Sequence, residues 1–173
     1  MLIVAATERE LGHVRRFDTL CCGIGPVEAA ARTAQALRER RPDAVLHIGI
    51  AGARTIEPLC LVLGSQAVYE DANGPLVPSH VQPDADLLAT LRRALPEAHV
   101  LPIGTSARVG GTSACDVEAM EGFAVLRACE LAGVPAVELR AISNSPGEPD
   151  RAKWLFDEAF ELLGAALDRF DVV

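Results

Sequence analysis

Short, nearly continuous apolar runs recur along this chain, and most are followed by a helical pattern. Residues 2–6, 19–23, 44–50, 60–69, 100–104 and 136–142 read as strands, the fourth bent at Gly64. Residues 7–16, 27–41, 85–95, 117–132 and 151–170 read as helices, and 106–109 as strand or extended loop. Strands without polar alternation belong to a sheet covered on both faces. Alternation with helices implies right-handed β-α-β units and a mainly parallel sheet. The expectation is therefore an α/β fold. Its length suits one domain over residues 1–173 with one sizeable core. In such folds ligands bind beyond the carboxyl ends of the strands, so polar residues at strand ends become the candidates for function.

Composition narrows the partners. A formal net charge of −8 argues against a nucleic-acid backbone or an anionic membrane surface. It leaves room for a small anionic substrate met by one or two local arginines. No apolar run has the length of a membrane span. Five cysteines, with no C-x-x-C pair, read as reduced thiols in a cytoplasmic protein. Adjacent Cys21 and Cys22 sit in a strand and face opposite sides. His13, His47, His80 and His99 fall in no metal-ligand spacing, so no metal or cofactor is expected and the histidines are given no role.

Several motifs lie at strand ends. Gly23-Ile24-Gly25-Pro26 resembles a phosphate cradle, but it lacks the third glycine of the dinucleotide fingerprint and the Lys-Ser/Thr of a P-loop. A tight strand-to-helix turn with Pro26 in the first helical position is the better reading. Thr7 and Glu10 match a capping box. The same carboxylate, just after the first strand, is placed to take a proton from water. The two readings are compatible, because a cap fixes a carboxylate in place. Glu121 is read in the first turn of its helix, where it either meets the helix dipole or accepts two ribose hydroxyls. Asn144 precedes Ser-Pro-Gly and either makes an Asx-type turn or reads a purine edge. An Asn amide cannot release a proton to a leaving purine, which favours a 6-oxopurine departing on donated hydrogen bonds.

The pieces AATERELG, CGIGPVEAA, HIGIAGA, EAMEG and RAISN, taken in this order, resemble the nucleoside phosphorylase superfamily over nearly the whole chain. Within it the pattern is similar to the methylthioadenosine/adenosylhomocysteine nucleosidases and, above all, the futalosine hydrolases. The resemblance implies a three-layer fold with a mixed, mostly parallel central sheet flanked by helices. It also implies a shortened N-terminal hairpin region, since only twelve residues separate Glu10 from Gly23. By the same resemblance Glu10 activates water, and Met120 and Glu121 hold the ribose. Ala51 and Gly52 lie near base and sugar, and Arg108 and Val109 lie beside the base. The family's general acid is an Asp, where this chain has Asn144.

That departure points to futalosine, cleaved to hypoxanthine and dehypoxanthine futalosine in menaquinone biosynthesis. The substrate's benzoate would pair with Arg151 or Arg108, although Arg151 also reads as a solvated first-turn residue. The alternatives are a methylthioadenosine/adenosylhomocysteine nucleosidase and a non-catalytic nucleoside-binding protein. The Ala-Thr-Glu-Arg-Glu segment stands where superfamily phosphorylases carry a Gly-Asp-Pro phosphate loop, so hydrolysis is favoured over phosphorolysis. A homodimer or higher homo-oligomer is implied by the resemblance alone.

Overall fold

A computed structural model describes residues 1–72, 74–111 and 114–170. One mixed sheet forms the middle layer. Its strands are β1 (Leu2–Ala5), β2 (Asp18–Cys21), β3 (Val45–Ala53), β4 (Leu61–Tyr69), β5 (His80–Val81), β6 (His99–Thr105), β7 (Val117–Ala119) and β8 (Ala136–Asn144). The helices are α1 (Glu8–Leu11), α2 (Pro26–Arg40), α3 (Ala85–Ala94), α4 (Gly122–Ala132) and α5 (Phe156–Leu167).

β1 pairs in parallel with β2 and β3, and β3 with β8. β4–β6 and β6–β7 are also parallel, while β3–β7, β4–β5 and β4–β8 are antiparallel. The expected mostly parallel sheet is thus observed. Because β8 bridges β3 to β4 while β7 and β6 join them by the other route, strands β3, β8, β4, β6 and β7 close into a ring.

Burial follows the pleat. Along β1, Ile3 and Ala5 face a core shared with α3 and α5, whereas Leu2 and Val4 face a second core under α2 and α4. Cys21 packs with the first core and Cys22 belongs to the second, as their opposite-facing reading requires. A third cluster, including Ala51, Val62, Ile103, Val117 and Ile142, fills the interior of the ring. The bend expected at Gly64 is a register break between Gly64 and Gln66, opposite Pro102. The irregularity falls where a proline, which has no N–H to donate, enters the ladder.

Three expected elements differ. The helix over 7–16 is a single turn: Gly12 caps it, and the following residues turn back so that Val14 and Phe17 pack on the core. Residues 117–119 are strand, because ring closure pairs them with β3 and β6, and the helix starts only at Gly122. Residues 151–170 break at Trp154, which has an extended backbone and donates its indole N–H to the Glu148 carbonyl. Among the described residues, no helix is long and apolar enough to cross a membrane.

Leu139 is fully buried in β8, between β3 and β4. Leu139→Ala is expected to cost about 2–5 kcal/mol, read as a lower urea midpoint at unchanged slope.

Candidate active site

The carboxyl ends of β1, β3 and β8 open into one cavity of about 590 Å³. All nine residues singled out from the sequence line it: Glu10, Ala51, Gly52, Arg108, Val109, Met120, Glu121, Asn144 and Arg151.

Glu10 is 5% exposed. Its Oε2 accepts from the Thr7 N–H and the Thr7 hydroxyl, each at 2.9 Å, and its Oε1 accepts from the Ile50 N–H at 3.3 Å. The Thr7 hydroxyl in turn accepts from the Glu10 N–H, so the capping box is formed. The cap therefore locks the carboxylate at the cavity wall, and the structural and chemical readings of Glu10 coincide.

Glu121 is the residue preceding α4, rather than part of its first turn. Its carboxylate turns away from its own helix and accepts from the Gly25 N–H at 2.8 Å. Gly25 sits at φ 89°, a region that suits glycine. The Gly-Ile-Gly-Pro turn is thus the strand-to-helix turn expected, with Pro26 in the first turn of α2. It also supplies the backbone donor that aims Glu121. Burial raises the Glu121 pKa, while the Arg140 charge and the Gly25 bond oppose that rise.

Asn144 follows a bulge. Ala51 pairs with Ile142 and Gly52 with Asn144, so Ser143 is the extra residue. The Asn144 Oδ1 accepts from the Ser143 hydroxyl at 2.8 Å, and its amide nitrogen donates to the Ser145 carbonyl at 3.1 Å. Gly52 lies close against it: a Cβ there would stand 3.1 Å from Pro146 and 3.3 Å from the Asn144 Nδ2. Small residues at 51–52 thus admit the Asn144 turn.

The loop bearing Arg108 and Val109 is not a strand. Asp71 accepts from the Ser106 hydroxyl and the Ala107 N–H, and Glu118 accepts from the Gly110 N–H. Glu118, a cavity-lining residue with no role in the sequence reading, also pairs with Arg54 at 3.0 Å. Another part of the cavity wall is aromatic. Arg9 lies over Phe156 and Phe160, and Arg151 over Trp154.

A buried polar cluster behind the cavity went unassigned in the sequence. Arg140 is 1% exposed, and Glu138 and His47 are fully buried. The Arg140 Nε donates to Glu138 at 2.7 Å, and Nη2 lies 3.0 Å from the His47 Nδ1. A Cβ on Gly49 would meet Arg140 Nη1 at 2.2 Å and Glu10 Oε1 at 2.7 Å. Cation and carboxylate therefore converge over a glycine. Glu138, Glu121 and Glu10 raise the Arg140 pKa against desolvation, and burial together with the Arg140 charge holds His47 neutral. The available signal was a Glu and an Arg two residues apart in a strand covered on both faces, since such charges are buried only when paired.

The family model described as the phosphorylase superfamily matches residues 19–115. The chain belongs to the phosphorylase superfamily. It is 35% identical to the futalosine hydrolase of Streptomyces coelicolor, over 88% of this chain and 77% of that protein. It is 32% identical to the futalosine hydrolase of Acidothermus cellulolyticus, over 89% of this chain and 78% of the relative. In fold it is similar to the 5′-methylthioadenosine/S-adenosylhomocysteine nucleosidase of Colwellia psychrerythraea in complex with adenine. That match has a TM-score of 0.83 at 19% identity and covers 97% of this chain and 94% of the other.

Because Arg140 and Glu10 are both pinned, neither can yield freely to a side chain at Gly49. Gly49→Ala is expected to cost about 1–3 kcal/mol, seen as a lowered thermal midpoint.

Proposed function

We propose that this protein hydrolyses the N-glycosidic bond of a purine nucleoside, with futalosine as its substrate and hypoxanthine and dehypoxanthine futalosine as products. The observation that carries this reading is the pairing of two buried carboxylates, Glu10 and Glu121, on one cavity, with a buried guanidinium beside them.

Each group has a role its chemistry allows. Glu10 takes a proton from water as the water oxygen bonds to C1′ of the ribose. Arg140, converging with Glu10 over Gly49 from behind the cavity wall, backs that carboxylate and keeps the clustered negative charges compatible. Glu121 exchanges its Gly25 donor for ribose hydroxyls and stabilises the positive charge that develops on the sugar. Met120 and the small residues Ala51 and Gly52 pack against sugar and base, with Val109 beside the base. The C1′–N9 bond breaks with its electron pair going to the purine. Asn144 donates to the purine edge without surrendering a proton, which suits a 6-oxopurine that can carry the charge. Carboxylates stand where a phosphorylase would bind phosphate, so water is the favoured acceptor.

The substrate's aryl carboxylate matches the aromatic wall. Trp154 and Phe156 offer flat apolar surface, with Arg151 stacked on Trp154 and Arg108 on the facing loop as cations for the carboxylate. A homodimer or higher homo-oligomer belongs to the same reading, supported by the exposed Ile24 and Val27 beside the cavity. A cytoplasmic location fits five free cysteines.

Incubation with futalosine is expected to release hypoxanthine, with little adenine from methylthioadenosine. Adenine alone would overturn the substrate choice, and binding without base release would favour a non-catalytic nucleoside-binding protein. Glu10→Gln should lower kcat by roughly 10²–10⁴-fold; full activity would leave Glu10 a cap only. Glu121 must be ionised to accept ribose hydroxyls, and its pKa is raised. The acid limb of kcat/KM is therefore expected above the ordinary carboxylate range, and Glu121→Gln should remove it along with most of the activity.

A further inference from the structure

We propose that Glu138, assisted by His47, is the positioning residue that sets Arg140 over Gly49 and ties it to the helix carrying Glu121. The inference rests on the hydrolytic reading above and assigns a function to a carboxylate and an imidazole that never reach the cavity.

The sheet register brings the three groups together. His47 pairs with Glu138 and Gly49 with Arg140 across β3 and β8. Glu138 and Arg140 are two residues apart, so they share one face of the strand. Arg140 is held at two of its three nitrogens: Nε by Glu138 at 2.7 Å, and Nη2 by the His47 ring at 3.0–3.2 Å. The remaining nitrogen, Nη1, is the one that would touch a Cβ on Gly49, on the Glu10 side. A planar guanidinium held at two corners has no rotational freedom at the third.

Glu138 also reaches the other half of the site. A Cβ on Gly122 would lie 2.3 Å from each of its carboxylate oxygens. Glu138 therefore presses against the first residue of α4, next to Glu121. Its Oε2 is buried and, among the described residues, has no hydrogen-bond partner. This oxygen faces the helix N-terminus, whose dipole favours negative charge. One carboxylate thus spaces the guanidinium that backs Glu10 against the start of α4, next to Glu121.

The test compares wild type with Glu138→Ala, Glu138→Gln, His47→Asn and Gly122→Ala, each well below its thermal midpoint and corrected for folded fraction. Glu138→Ala is expected to lower kcat on the order of 10²-fold, as about 1 Å of misplacement can, with KM nearly unchanged. Glu138→Gln keeps an acceptor for Nε and should recover roughly tenfold of that loss. His47→Asn should reduce kcat in the same KM-sparing way, whereas Gly122→Ala, next to the ribose-binding Glu121, should lower kcat and raise KM as well. Wild-type kcat in folded Glu138→Ala would overturn the proposal, as would kcat and KM changing together in all four variants. If Glu138→Ala does not fold, Glu138→Gln and His47→Asn carry the same decision. If the wild type releases no base, the hydrolytic reading fails separately. The crystal structure of Glu138→Ala, or of Gly122→Ala where Glu138→Ala does not fold, then decides the positioning: an unmoved Arg140 guanidinium overturns it, and a displaced one supports it.

Discussion

One buried cation organises the functional half of this molecule. Taking a guanidinium out of water costs several kcal/mol, and mutual attraction repays this only where geometry and hydrogen bonding are good. Arg140 meets both conditions with Glu138 at its Nε and with Glu10 and Glu121 contributing to its field. The dependence is reciprocal. Two carboxylates at 5% exposure, facing one cavity, would repel each other without a cation behind them. Glycines at 49 and 122 follow from the same arrangement, since each leaves the room that a charged group occupies.

The site is assembled from three connections that are each local and ordinary. A capping box fixes Glu10, a strand-to-helix turn holds Glu121, and a bulge turns Asn144. None of them identifies a nucleosidase alone. Their convergence at the carboxyl ends of three adjacent parallel strands makes them a site, which is the general position for ligands in α/β sheets.

Periodicity made the long elements legible. The helix read at 27–41 is α2 within a residue at each end, and the buried strands at 44–50 and 136–142 are the cores of β3 and β8. The misread segments are those where tertiary pairing outweighs local preference. Val117-Glu118-Ala119 continues smoothly into a helical pattern, yet ring closure makes it strand. Gly12 and Trp154 interrupt helices that composition alone would extend. Glu10, Ala51, Gly52, Met120, Glu121 and Asn144 were legible because motifs carried them. His47 was not, because the register that places it beside Glu138 is a property of the folded sheet, and Glu138 left only the trace of a charge two residues from an arginine in a buried strand.

The ring formed by β3, β8, β4, β6 and β7 has a consequence for how the chain tolerates change in length. β2 is a four-residue strand at the outer edge of the sheet, and among the described residues it pairs only with β1, which joins it to the ring. Its backbone edge is short, which limits its appeal as a template for stray strand pairing. Chain can be gained or lost beyond β2 without opening the ring or altering the β3–β8 register. The connection between α1 and β2 is thus a place where this architecture absorbs changes in length, while the strands that aim the buried charges remain mechanically closed on themselves.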